Sequence, residues 1–117
     1  MNHHPQLFAL QRSASDLARQ LTAFQLLCHS RTYAQHLPEL VAQILSPITL
    51  QIDELEVLSA FTPLNGLLEQ ANRYTTDLIT LLATGSNILT LAELAPMLSP
   101  TIRLLTEAEH KAMEVRA

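Results

Sequence analysis

A cysteine and a histidine stand side by side at Cys28 and His29, with His36 seven residues further on. Thiolate and imidazole are the side chains zinc prefers, so the first question is whether they converge on a metal. Neighbours on a helix point about 100° apart, so this pair cannot face one ion from within a helix. No second cysteine completes a zinc-type pair, and no His-x-x-x-His occurs. Cys28 therefore reads as a small buried apolar residue, and His29, His36 and His110 as surface or loop side chains. At the N-terminus, the amine, two amides and an imidazole of Met1-Asn2-His3 could wrap a square-planar Cu(II) or Ni(II), with His4 assisting. This is a chemical capability only. Neither a metal centre nor a cofactor is expected.

Acid–base chemistry finds as little support. Glu54 and Glu56 are two residues apart and point to different sides of a helix, so they form no catalytic pair. Two isolated glycines, Gly66 and Gly85, cannot make a phosphate-cradling loop. The stretch Leu89-Thr-Leu-Ala-Glu-Leu-Ala-Pro-Met-Leu-Ser-Pro-Thr-Ile-Arg-Leu-Leu105 resembles a helix-turn-helix over its 17 residues. The resemblance implies a DNA-binding regulator. The stretch departs from that pattern at the turn, which is short, lacks the usual glycine and follows Pro96 inside the first helix. The second helix sets Arg103, Lys111 and Arg116 against Glu107, Glu109 and Glu114, a poor footprint for phosphate. A third reading is an apolar ligand held between helices, lined by Met97, Phe24 and Tyr74. Such residues on a helical seam otherwise form core.

The elements that would position any site are helices. The chain has 117 residues, enough for one domain spanning 1–117 that buries about two-thirds of its unfolded surface. Few glycines, few aromatics and abundant leucine favour helix over sheet. No apolar run reaches the roughly 20 residues a membrane span needs, and the N-terminus does not read as a signal peptide. With a single cysteine these features lead to the expectation of a cytoplasmic protein.

Four apolar seams are legible. The first helix begins near Pro5 and repeats Leu10, Ala14, Leu17, Leu21, Phe24 and Cys28 at heptad spacing. The second starts around Pro38 and carries Leu37, Val41, Ile44 or Leu45, Ile48, Ile52, Leu55 and Leu58. The third has Thr62 as its cap and Pro63 at its first helical position, then Leu64, Leu67, Leu68, Ala71, Tyr74, Leu78, Leu81 and Leu82. The fourth opens on a Thr90–Glu93 capping box and carries Leu91, Leu94, Leu98, Ile102, Leu105, Ala108 and Ala112.

The tripeptide Leu-Ser-Pro interrupts two of these seams, at Ser46-Pro47 and Ser99-Pro100. The apolar period continues through both without a phase shift. Each is thus expected to be one rod, kinked or briefly broken at the proline, with the serine capping the new segment. The recurrence is compatible with an internal duplication, each repeat an αα-hairpin. The fold class that follows is all-α: a four-helix bundle of two αα-hairpins.

Charge decides what such a bundle would be for. Asp, Glu, Lys and Arg make up 15% of the chain, against about 25% in an ordinary domain, while hydrophobic residues make up 48%. A small bundle has much surface to cover, so apolar surface is expected to remain exposed. The formal net charge is −4, and no Lys or Arg occurs between Arg31 and Arg73, where Glu39, Asp53, Glu54, Glu56 and Glu69 fall. That excludes a basic nucleic-acid footprint from the central third. The expected function is a non-enzymatic protein-interaction module: a homodimer, a small subunit or a chaperone-like adaptor. Candidate interface residues lie beside the seams at Leu40, Leu50, Val57, Ile79 and Leu104. The expected partner is a second copy or another protein.

Overall fold

Leucine-rich heptads leave each helix with one apolar face that water disfavours, and packing four such faces together removes them all. The computed structural model describes residues 4–30, 38–83 and 91–116, which are helical except for one connector and one single-residue break. The helices are α1 (His4–Ser30), α2 (Pro38–Leu58), α3 (Asn65–Ala83), α4 (Leu91–Met97) and α5 (Ser99–Arg116). No strand occurs among the described residues. The bundle is a rod of 51 × 25 × 17 Å.

Neighbouring rods run antiparallel around a square. The Gln6 side chain at the start of α1 donates to the Leu58 carbonyl at the end of α2. Asn72 of α3 donates to Asp53 and Glu56 of α2 at 3.2 and 2.8 Å. α3 packs on α5, and α5 packs back on α1. The two closest pairings are α1 with α5 and α2 with α3; the α1–α2 seam is much thinner.

The two Leu-Ser-Pro tripeptides end differently. α2 runs through Ser46-Pro47 without a break. Proline denies the Gln43 carbonyl its donor, but Gln43 and Pro47 both face water, which can serve that carbonyl. The fourth rod does divide, at Leu98. The Leu98 N–H reaches back only three residues to Ala95, at 3.2 Å, and the Ile102 N–H resumes the longer pattern to Leu98, at 3.1 Å. Gln25 of α1 spans this break: its amide donates to the Ala95 carbonyl at 2.6 Å and the Ser99 hydroxyl at 2.9 Å. The Thr90–Glu93 box falls partly on Thr90, outside the described residues.

The seams supply most of the core. Leu10, Ala14, Leu17, Leu21 and Cys28, with Val41, Leu45, Ile48, Ile52 and Leu55, are buried, as are Leu64, Leu68, Leu78, Leu94, Leu98 and Leu105. Three residues placed on seams are exposed instead, Leu58, Tyr74 and Leu81, and of the alternative Ile44 or Leu45 it is Leu45 that is buried. Leu104, expected at an interface, is core at 5% exposure. Thr106 and Glu109 turn toward α1, and Leu104 lies on the other flank of α5, toward α3. A helix clasped from two sides buries an arc wider than a heptad stripe. Ile79 is likewise packed against the core and only partly exposed.

Two polar side chains meet inside. The buried Thr75 hydroxyl donates to the Ala71 carbonyl at 2.8 Å and lies 3.3 Å from the buried Thr101 hydroxyl. The pair is asymmetric, because Thr75 has a second partner. Thr75→Val is expected to strand the Thr101 hydroxyl and cost about 1–3 kcal/mol, while Thr101→Val is expected to be near neutral. Urea denaturation of the two variants checks this. Equal costs would show that the contact between the two hydroxyls does not carry the difference.

Candidate interaction surface

α2 buries Val41, Leu45, Ile48, Ile52 and Leu55, so its opposite face carries Gln43, Ser46, Leu50, Glu54 and Val57. Leu50 and Val57 are seven residues apart and share one side of the helix, two turns from each other. They are 66% and 68% exposed. Nothing among the described residues covers them. The side chain of Leu40, at the start of α2, lies outside the described residues. Of the five expected interface positions, the structure thus leaves Leu50 and Val57 open, half-buries Ile79 and buries Leu104.

This apolar track continues off the end of α2. Leu58 is exposed, and the connector from Ser59 to Leu64 carries Phe61, whose side chain is fully in solvent. Phe61 adopts φ 68°, a conformation that suits glycine and strains a bulky residue. The connector around it is tightly tied. The buried Ser59 hydroxyl donates to the Glu56 carbonyl at 2.7 Å, and Asn65 donates to that carbonyl and to Ser59, each at 3.1 Å. The Thr62 hydroxyl donates to the Ser59 carbonyl at 2.6 Å and accepts the Leu64 N–H at 3.3 Å. Thr62 thus caps a turn that precedes α3, which begins at Asn65, two residues after the helical start expected at Pro63. Phe61 was not legible as special, because a positive φ leaves no mark on a sequence when the residue is not Gly or Asn.

The charges on α2 itself have one sign, while α3 beside it carries Arg73. The charged side chains described on α2 are Asp53, Glu54 and Glu56, and the connector carries none. Asn72 bridges Asp53 and Glu56 on the α3 side, whereas Glu54 lines a groove of about 220 Å³ against Ser13, Asp16 and Gln20 of α1. The two glutamates do point apart. Of the described ion pairs, Arg19–Asp16 at 2.9 Å has its carboxylate on the α1 side of that groove, and Arg103–Glu107 at 3.8 Å lies within α5.

Other chemistry gains no geometry. Burial pushes the Cys28 thiol pKa up, away from the thiolate that nucleophiles and metal ligands need. No group of three or more His, Cys, Asp or Glu could hold a metal among the described residues. Met1-Asn2-His3 and His36 lie outside them. A single residue, Leu98, separates α4 from α5, where a helix-turn-helix uses three or four. A second groove, of about 470 Å³ between α1 and α5, is open to solvent and floored by Ser15, Ala18, Thr22 and Ala23. It arises because those side chains are small. No described helix is long and apolar enough to cross a membrane. In comparisons with known proteins, no family model, curated protein or solved structure matches the chain.

Proposed function

We propose that this protein is a non-enzymatic helical interaction module that uses the outer face of α2 and the connector after it. The observation that carries the reading is that Leu50 and Val57 share the outer face of α2 at 66% and 68% exposure, with the fully exposed Phe61 in the connector that follows. Exposed apolar residues aligned on one helix are what an anchored protein contact requires. Such a module serves as a dimer, a small subunit or a chaperone-like adaptor. The DNA-binding alternative is disfavoured by the single-residue turn and by Arg103 already facing Glu107. Met97, Phe24 and Tyr74, the proposed ligand lining, lie at or near the surface rather than around an enclosed cavity.

Light scattering after size exclusion, over a concentration series, tests the reading. Any mass above 13.0 kDa in the wild type is expected to fall back to the monomer in Leu50→Glu and Val57→Glu, whereas a wild-type monomer assigns this face to a different chain. Both variants are expected to keep their helicity and to shift stability by no more than about 0.5 kcal/mol. If they unfold, these residues belong to the core and the surface does not exist.

A further inference from the structure

We infer that the α2 face and connector receive a cationic amphipathic helix of a different chain, with Phe61 as the anchoring side chain. The inference rests on the interaction reading above and names the chemistry of the partner. Two observations support it independently.

The first is Phe61 itself. Glycine would occupy φ 68° without strain, and the exposed ring makes no contribution to the monomer core. The connector backbone is held by hydrogen bonds between Thr62 and Ser59 and between Leu64 and Thr62, so the backbone that bears the ring is fixed in place. Strain and exposure coincide on one aromatic residue. Aromatic side chains are also the ones that dominate binding when they enter a partner's pocket.

The second is charge. Asp53, Glu54 and Glu56 lie along the stretch of α2 that carries Leu50 and Val57, and no Lys or Arg occurs from residue 32 to residue 72. The cations of α1 are already engaged, Arg19 with Asp16 and Arg12 over the Phe8 ring at 5.9 Å, and α3 sets a single cation, Arg73, against Asp53, Glu54 and Glu56 of α2. A second copy docking α2 against α2 would bring two acidic faces together. An anionic lipid surface would be repelled in the same way. A helix with an apolar stripe and lysine or arginine beside it satisfies both features.

The test titrates labelled synthetic helices of three heptads against the full chain by fluorescence anisotropy. One has leucine at the a and d positions and lysine elsewhere; its control has glutamate in place of lysine. The lysine helix is expected to bind, more weakly as salt is raised, and the glutamate helix not to bind. Leu50→Glu adds negative charge and removes an apolar contact, so it separates the two contributions. It and Phe61→Gly are each expected to weaken the lysine helix about tenfold or more. Thermal melts of Phe61→Gly are expected to show no loss of stability, which keeps a binding defect distinct from unfolding.

If Leu50→Glu tightens the lysine helix, the attraction is bare charge and the inference is overturned. If the lysine helix does not bind while the wild type self-associates through Leu50, the interaction reading stands and this partner does not. If neither helix binds and the chain stays a monomer, both are wrong.

Discussion

Replacing Leu105 with alanine is expected to cost about 2–5 kcal/mol, a large part of the roughly 5–15 kcal/mol that holds a domain of this size together. Leu105 has no exposed surface. It sits on α5, which is pinned between α1 on one side and α3 on the other. Neither neighbour can move into the vacated space without leaving its own partner, so little of the cavity should collapse, and the cost should sit high in the range. Leu50→Ala removes the same atoms from a face already in water and is expected to stay within about 0.5 kcal/mol. Urea denaturation reads both. Similar losses at the two positions would mean the outer face of α2 is buried in solution.

The second large effect is a gain. Pro47→Ala is expected to stabilise the protein by about 1–3 kcal/mol, because proline in a helix interior is about 3 kcal/mol worse than alanine and the freer unfolded chain returns part of that. Pro47 is deep within α2, which continues for eleven more residues to Leu58. Alanine there restores an N–H to the waiting Gln43 carbonyl. Pro100→Ala is expected to change almost nothing. Pro100 is the second residue of α5, where a backbone N–H has no helical partner in any case. Thermal melts of the two variants compare one tripeptide in two settings. Equal shifts would show that both rods are broken, or that neither is.

That contrast marks the limit of what the chain alone discloses. Period shows that a rod continues through Ser-Pro, but the fate of the proline depends on what its neighbours supply. Around Pro47 water reaches the freed carbonyl. Around Pro100 a long-range side chain, Gln25, holds the open turn, and nothing near Gln25 in sequence announces a contact 70 residues away. The heptad seams of α1 and α5 identified their core positions because one buried stripe per helix is a local pattern. They missed Leu104 and Thr101 because a helix touching two neighbours buries a second flank, and that depends on which rods adjoin. At the candidate surface the scarcity of charge implied uncovered apolar residues. Leu50 and Val57 could be picked out because they lie opposite the seam. Phe61 could not, since exposure and backbone strain in a connector are properties of the folded turn.

The pairing of α1 with α5 has a consequence for how the chain is made. α2 and α3 are joined by a short connector and can pair as soon as both have left the ribosome. α1 is synthesised first, yet its most extensive partner is the last helix to appear. At about 5–20 residues per second, roughly 5–20 s separate the two. Over that interval the apolar face of α1 has only the thin seam to α2, and at the last the short α4, to cover it. Closing the ring therefore waits for α5, about 70 residues of synthesis after α1. A ribosome stalled before α5 should carry an N-terminal helix that sticks to whatever apolar surface it meets.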